Sequence, residues 1–189
     1  MNDIVPGFED MELYLDENAE RKGDILIKLA KEFKLSYFVE TGTYTGEMVK
    51  YVNARHKWKK IYTIELSHKL YNRAVILFKD TKNVTCLWGD SGSVLKALEF
   101  GKRSPALFWL DAHYCEGVTA RGRKITPLIE ELEIILNDIP HVIVIDDLDN
   151  LPKWGINRDY LQKFIVNKKP TADITIVGTI MIVRPKRKV

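Results

Sequence analysis

Six acidic residues occupy the same kind of position along this chain, because each one ends or closely follows a short apolar run that predicts a β-strand. They are Glu40, Glu65, Asp90, Asp111, Asp146 and Asp147. In an open sheet of parallel strands, the carboxyl ends of the strands meet at one edge, and ligands bind there. A single acid at a strand end can simply cap the next helix. Six of them predict a binding edge whose carboxylates could accept hydrogen bonds, hold a cation or move a proton.

The first of these acids begins a glycine turn in the stretch YFVETGTYTGEMVKYV, residues 37–52. Gly42 and Gly46 frame a polar turn after Glu40, and apolar residues then return at helical spacing. The E-x-G-x-x-x-G pattern lacks the G-x-G-x-x-G whose backbone cradles a pyrophosphate. Glu65 follows Gly42 by 23 positions, close to the offset of ~20 residues at which an acid binds a ribose hydroxyl pair. This favours a ribose-containing cofactor without phosphates, such as S-adenosylmethionine, whose positive charges suit an acidic rim.

Apolar runs and amphipathic stretches alternate along the chain, which is typical of a parallel sheet with helices between its strands. We predict strands at 37–40, 60–65, 84–88, 106–111 and 141–146. Helices are predicted at 21–33, 47–55, 67–78, 93–100 and 127–137. This succession predicts a Rossmann-like, doubly wound α/β sheet with helices on both faces.

The C-terminal part departs from that alternation. A predicted helix over 158–166 precedes ADITIVGTIMIVRPK, in which two β-branched runs meet at Gly178 and Thr179 with no room for a crossover helix. We therefore expect these two strands to be antiparallel neighbours. A sheet that ends in such a hairpin differs from the purely parallel dinucleotide-binding fold, which disfavours a nicotinamide cofactor.

Taken together, the motifs resemble those of the class I S-adenosylmethionine-dependent methyltransferases. YFVETGTYTGEMV is similar to their first motif, and IYTIEL, LWGDS, LFWLDAHY and VIVIDDLDN follow in the family's order. The E-x-G-x-x-x-G form resembles the metal-dependent catechol, caffeoyl-CoA and macrocin O-methyltransferase branch. The resemblance implies a single domain over residues 1–189. It also implies a seven-stranded sheet of order 3-2-1-4-5-7-6 whose last strand is antiparallel.

The resemblance implies roles for individual residues as well. Glu40 and Gly42 would lie beside the methionine part of the cofactor, and Glu65 on the ribose hydroxyls. Asp90 or Ser91 would lie near the adenine, and Gly46 would start a helix packed closely on the sheet. The predicted cofactor-binding residues are Glu40, Thr41, Gly42, Thr43, Gly46, Glu65, Leu66, Gly89, Asp90, Ser91 and Asp111.

In the metal-dependent branch, the Asp after strand four and an Asp-Asn pair after strand five hold magnesium. The matching residues here are Asp111, Asp146 and Asp147, so the last one departs from the family's usual Asn. Three converging carboxylates would also repel one another unless a cation or a proton lay between them. We therefore expect Mg²⁺ or another divalent cation that lowers the pKa of an acceptor hydroxyl. In the alternative interpretation, Asp147 and Asp149 face solvent and only cap the following loop.

The identity of the general base stays open. The catechol-type enzymes have a Lys three residues after the strand-four Asp, where this chain has Tyr114. His113 could accept a proton near neutral pH or bind the metal, so Asp111 and His113 are the predicted catalytic residues. A His in a loop is also commonly a hydrogen-bonding or surface group.

No motif identifies the acceptor, which we expect to be a small molecule. The basic loop 113–127 could attract an anionic one, although solvation also explains a charged loop. The N-terminal segment 1–20 could cover the acceptor. A formal net charge of +3 does not indicate a nucleic-acid partner. Two cysteines, no signal peptide and no apolar run of membrane-spanning length predict a cytoplasmic protein, and a homodimer is compatible with the sequence.

Two other functions stay open. One is a nicotinamide-dependent oxidoreductase, and the other is a non-catalytic member of the methyltransferase fold that binds cofactor or partner without methyl transfer. The departures at Tyr114 and Asp147 give weight to the second. At the cofactor turn, Gly42→Val should abolish cofactor binding and leave the fold largely intact, provided that the backbone there needs no positive φ.

Overall fold

The computed structural model describes residues 17–98, 104–112 and 126–186. Its α-helices are α1 (Glu17–Glu32), α2 (Glu47–Arg55), α3 (His68–Leu77), α4 (Ser91–Ala97), α5 (Leu128–Ile135) and α6 (Arg158–Lys168). Its strands are β1 (Tyr37–Thr41), β2 (Lys60–Glu65), β3 (Val84–Trp88), β4 (Leu107–Leu110), β5 (Val142–Ile145), β6 (Ala172–Val177) and β7 (Ile180–Pro185). A 3₁₀ helix, Leu148–Trp154, connects β5 to α6.

Within the described residues, the strands form one seven-stranded sheet of order β3-β2-β1-β4-β5-β7-β6. The five strands from β1 to β5 pair in parallel, whereas β7 pairs antiparallel with both β5 and β6. The predicted order and the antiparallel last strand are therefore confirmed. The parallel part brings the carboxyl ends of β1 to β5 to one edge, where the predicted site residues lie.

Successive side chains of a strand point to opposite faces of the sheet, so both faces of the buried strands are apolar. Among the described residues, three α-helices cover each face. In β4, Leu107 and Trp109 pack toward α1, α2 and α3, whereas Phe108 and Leu110 pack toward α4, α5 and α6. These four side chains are at most 3% exposed. Burial of each such side chain contributes about 2 kcal/mol, which makes the central strands a rigid support for the edge.

Most element boundaries differ from the predicted ones by one to four residues, and one element was not predicted. The 3₁₀ helix covers LDNLPKW and includes Pro152. The predicted end of α4 at residue 100, the N-terminal segment 1–16, and His113, Tyr114 and the basic loop up to residue 125 lie outside the described residues.

No helix in the described ranges has the length and apolar character needed to cross a membrane.

Candidate functional site

Backbone hydrogen bonds join the predicted site residues into a continuous row along the carboxyl edge. They are Gly89 N–H to Glu65 O at 3.0 Å, Gly42 N–H to Ile64 O at 2.9 Å, Asp111 N–H to Thr41 O at 3.1 Å, and Asp146 N–H to Leu110 O at 3.0 Å. Each bond continues the ladder of two parallel strands by one step beyond their ends. The edge therefore holds residues from all five parallel strands in fixed positions.

The glycine turn after β1 depends on Gly42 for two reasons. Its φ is +86°, and a Cβ there would lie 2.6 Å from the carbonyl oxygen of Asp111. A side chain would thus both strain the backbone and collide with the end of β4. The condition on the Gly42→Val expectation is therefore not met, and the change should disturb the fold as well as the site.

Gly46 serves helix packing. It precedes α2 with a φ of +79°, and a Cβ there would come within 3.0 Å of Leu77 and Phe78, at the end of α3. The predicted close packing at this helix start is thus made against α3, and the cofactor-binding role of Gly46 stays a prediction.

Two backbone N–H groups hold the Glu65 side chain, one from the turn after β1 and one from the residues after β2. Its Oε1 accepts a hydrogen bond from Ser67 N–H at 2.8 Å, and its Oε2 accepts one from Tyr44 N–H at 2.9 Å. The side chain is 6% exposed. Tyr44 has a φ of +48°, which costs a non-glycine residue about 1 kcal/mol. The carboxylate is therefore preoriented, and each oxygen keeps acceptor capacity for a further donor.

Glu40 is buried at one end of a chain of two hydroxyl groups, from Thr63 and Thr43. Thr63 donates to its Oε2 at 2.5 Å, and Thr43 Oγ1 lies 2.6 Å from Thr63 Oγ1. Burial raises the pKa of Glu40 to about 8; the Thr63 hydrogen bond opposes this rise, whereas the charges of Asp111 and Glu65 add to it. Glu40 is thus mainly protonated at neutral pH, and a cation close by would favour its charged form.

On the β3 side, the predicted residues are engaged in helix formation. Asp90 caps α4, because its Oδ1 accepts a hydrogen bond from Ser93 N–H at 3.0 Å. Ser91 donates to Glu131 Oε1 at 2.5 Å. Next to them, the indole N–H of Trp88 donates to the Leu66 carbonyl at 3.1 Å, while its ring is 57% exposed. The predicted adenine region is therefore bordered by an aromatic side chain that the sequence analysis did not single out.

Glu131 also went unpredicted. It lies on α5, 1% exposed, and its burial raises its pKa to about 7, against the hydrogen bond that Ser91 donates. The charges of Asp90 and Asp111 add to the rise. Glu131 follows Leu128 by three residues and precedes Leu132 by one, so it lies on the same face of α5 as these buried leucines. A Glu on such a face was the available signal for a buried acid at the site.

At the end of β5, Lys22 of α1 binds the acidic pair. Its Nζ lies 2.7 Å from Asp146 Oδ1, 2.8 Å from Asp146 Oδ2 and 3.8 Å from Asp147 Oδ1. Burial lowers the pKa of Lys22, but the hydrogen bond and charge of Asp146 outweigh it, so the pKa is raised. Burial and the charge of Asp111 raise the pKa of Asp146 to about 6, against the effect of Lys22. This contact was not predicted, because Lys22 and Asp146 are 124 residues apart along the chain.

The three predicted metal ligands do not fit a divalent ion as they are arranged. Both Asp146 oxygens contact the Lys22 ammonium, and Oδ1 also accepts a hydrogen bond from Asp147 N–H at 2.7 Å. Among the described residues, no three acidic, His or Cys side chains are grouped to hold one metal. An ion on Asp111, Asp146 and Asp147 would have to displace Lys22, and that site stays a prediction.

A cleft opens between the carboxyl ends of β4 and β5. Asp111, Glu131 and Asp146 supply its carboxyl groups, and Trp154 of the 3₁₀ helix forms one apolar wall. The remaining lining residues are Leu110, Ala112, Thr126, Leu128 and Ile145. The cleft borders the row of strand ends and has room for about one water molecule among the described residues. His113 follows directly after Ala112 but lies outside the described residues, so its catalytic role stays a prediction.

Solved structures that share this fold include methyltransferases, two of them in complex with S-adenosylhomocysteine. The S-adenosylhomocysteine-bound methyltransferase PaMTH1 of Podospora anserina is 19% identical, with a TM-score of 0.63 over 92% of this chain and 83% of that chain. An O-methyltransferase of Bacillus cereus, in complex with S-adenosylhomocysteine, is 19% identical, with a TM-score of 0.62 over 87% of this chain and 80% of that chain. The 23S rRNA methyltransferase ErmE is 13% identical, with a TM-score of 0.55 over 86% of this chain and 68% of that chain.

At these identities the likeness establishes the fold, which confirms the fold implied by the resemblance. No protein-family model matches the chain, and a search of curated proteins finds no match.

Proposed function

We propose that this chain is an S-adenosylmethionine-dependent methyltransferase that acts on a hydroxyl group of a small molecule. The observation that carries the proposal is the Glu65 carboxylate, buried and oriented by Tyr44 N–H and Ser67 N–H at the end of β2. Two carboxylate oxygens with remaining acceptor capacity suit a pair of ribose hydroxyls. The neighbouring turns have no pyrophosphate cradle, so the donor and acceptor set fits an adenosyl cofactor without phosphates.

The other strand ends would bind the rest of the cofactor. In this proposal, Glu40, Thr41, Gly42 and Thr43 border the methionine part, and Leu66, Gly89, Asp90 and Ser91 border the adenine. When bound, the cofactor supplies an electrophilic methyl group on a positively charged sulfur. Asp111 lies between the Glu40 side and the cleft, where its charge raises the pKa of both Glu40 and Asp146. A negative charge there would stabilise a cationic cofactor.

Hydroxyl methylation is preferred over amine methylation because of the residues after β4. Nucleic-acid methyltransferases for exocyclic amines carry an Asn/Asp-Pro-Pro-aromatic motif at this point, whereas this chain has Asp111, Ala112, His113 and Tyr114. The O-methyltransferase neighbours support the same choice at the level of fold. The neighbour ErmE keeps ribosomal RNA as an alternative acceptor. A non-catalytic cofactor-binding protein is the other alternative.

The test is formation of S-adenosylhomocysteine from S-adenosylmethionine, measured by mass spectrometry with separate acceptor panels. The panels are phenols and catechols, sugar hydroxyls, anionic variants of both, and ribosomal RNA. We expect turnover with a hydroxyl panel, at a rate that Asp111→Asn lowers. Turnover on RNA alone would contradict a small-molecule acceptor, and tight cofactor binding with no turnover on any panel would favour the non-catalytic alternative.

Three further expectations belong to this proposal. They are a single domain over residues 1–189, a cytoplasmic location and, for the acceptor, an anionic group that the basic loop could attract.

A further inference from the structure

The Lys22 ammonium occupies the place at which the resemblance puts a divalent ion. It comes from α1, 124 residues before Asp146 in sequence, and contacts both oxygens of that carboxylate at 2.7 and 2.8 Å. The Lys22 side chain is 22% exposed and the Asp146 side chain 6%. A partly buried charge pair is screened less by salt and water than a surface pair. The contact is therefore a strong local feature of the acceptor side.

Packing of α1 on α2 fixes the position of Lys22. A Cβ on its neighbour Gly23 would lie 2.5 Å from the ring of Tyr51, so the glycine allows α1 to approach α2 closely. On the other side of that glycine, Asp24 accepts a hydrogen bond from the Tyr51 hydroxyl at 2.7 Å. These contacts hold the residues directly after Lys22, and with them the start of its side chain.

The acidic pair is shaped to complement this lysine. Asp147 has a φ of +53°, an unusual backbone conformation for a residue other than glycine. In this conformation its N–H donates to Asp146 Oδ1, while its own Oδ1 lies 3.8 Å from Lys22. Its Oδ2 accepts a hydrogen bond from Asn150 at 3.2 Å. Both carboxylates are thus committed to partners within the protein.

We infer that Lys22 is a positioning residue that supplies the positive charge at the acceptor side of the site, so that methyl transfer by this chain does not require a divalent ion. The inference rests on the proposed function. In this arrangement the lysine holds Asp146 at the wall of the cleft and offsets the repulsion among Asp111, Asp146 and Asp147.

The test uses Mn²⁺ as the probe, with binding measured by calorimetry and by the electron paramagnetic resonance of the free ion. Wild-type protein and Asp146→Ala should bind Mn²⁺ equally weakly. Lys22→Met keeps most of the aliphatic chain and removes the charge, so it should gain a Mn²⁺ site at least about tenfold tighter. Lys22→Arg and the matched control Lys28→Met, on the exposed face of α1, should not gain one. The gain should disappear in Lys22→Met combined with Asp146→Ala.

Mn²⁺ binding by the wild type that Asp146→Ala abolishes would overturn the inference, whatever the stability of the lysine variants. A folded Lys22→Met, judged by its melting temperature, without the gained site would also overturn it. With an acceptor in hand, the wild-type rate should be unchanged by EDTA, and a rate lost in EDTA and restored by Mg²⁺ would contradict the inference. Titration with S-adenosylhomocysteine tests the proposed function separately, because Mn²⁺ binding requires neither cofactor nor acceptor.

Discussion

At the scale of single residues, the site depends on side chains and glycines that fix one another. The strand-end acids could be predicted because the apolar run before each of them is a local signal. Lys22 and Glu131 could not be placed in the same way, because their partners are 124 and 40 residues away along the chain. Thr63, which binds Glu40 across 23 residues, went unpredicted for the same reason. Such contacts depend on how helices and strands pack, which local pattern does not specify.

The requirement for Gly42 can be measured against a second glycine of similar conformation. Gly42 and Gly155 have φ values of +86° and +72°, but only a Cβ on Gly42 meets other atoms, at 2.6 Å from Asp111 O. Gly155→Ala should lower the free energy of unfolding by about 1 kcal/mol, from backbone strain alone. Gly42→Ala should lower it by about 2 kcal/mol or more, because the collision adds to the strain. Urea denaturation of the two variants gives the comparison, and equal losses would show that the approach of β1 to β4 is not tight.

At the scale of elements, the alternating pattern predicted the helices and parallel strands because buried strands and amphipathic helices have different periods. The ends of the helices were predicted less accurately, because capping residues decide them. Asp90 caps α4, which therefore begins at Ser91, two residues before the predicted start. The 3₁₀ helix after β5 went unpredicted because it depends on the left-handed Asp147 and on packing of Leu148 and Leu151 into the core. That element supplies Trp154 to the cleft, so part of the cleft wall was also unpredicted.

The burial of Glu131, where α5 packs against α4, should make stability depend on pH. An unfolded Glu titrates near pH ~4.3, whereas burial raises the pKa of Glu131 to about 7 in the folded protein. Between these values the folded state keeps a proton that the unfolded state has lost, so stability falls as the pH rises. Glu131→Gln carries no titrating group, so its stability relative to wild type should rise by up to about 1.4 kcal/mol per pH unit across that window.

Urea denaturation at several pH values between about 4.5 and 7.5 measures this difference. Glu133→Gln, on the exposed side of α5, is the matched control and should follow the wild type at every pH. A Glu131→Gln difference that stays constant across the window would contradict a raised pKa for Glu131.

At the scale of the whole molecule, the sheet order 3-2-1-4-5-7-6 was implied by the resemblance and is observed. The alternation of elements by itself predicts a parallel sheet but not which strands are neighbours. The C-terminal hairpin was the exception, because the short link at Gly178 and Thr179 forces β6 and β7 to pair. This topology brings five strand ends into one hydrogen-bonded row, with the cleft at the β4 and β5 end.

The central claim is that this row binds an adenosyl cofactor through Glu65. Calorimetric titration with S-adenosylhomocysteine tests it most directly, on the wild type, Glu65→Gln and the exposed control Glu133→Gln, with melting temperatures to verify folding. The wild type and the control should bind with equal affinity, and Glu65→Gln should lose at least about tenfold, because a charged acceptor for hydroxyl donors is removed. No binding by the wild type, or equal binding by a folded Glu65→Gln, would contradict the claim.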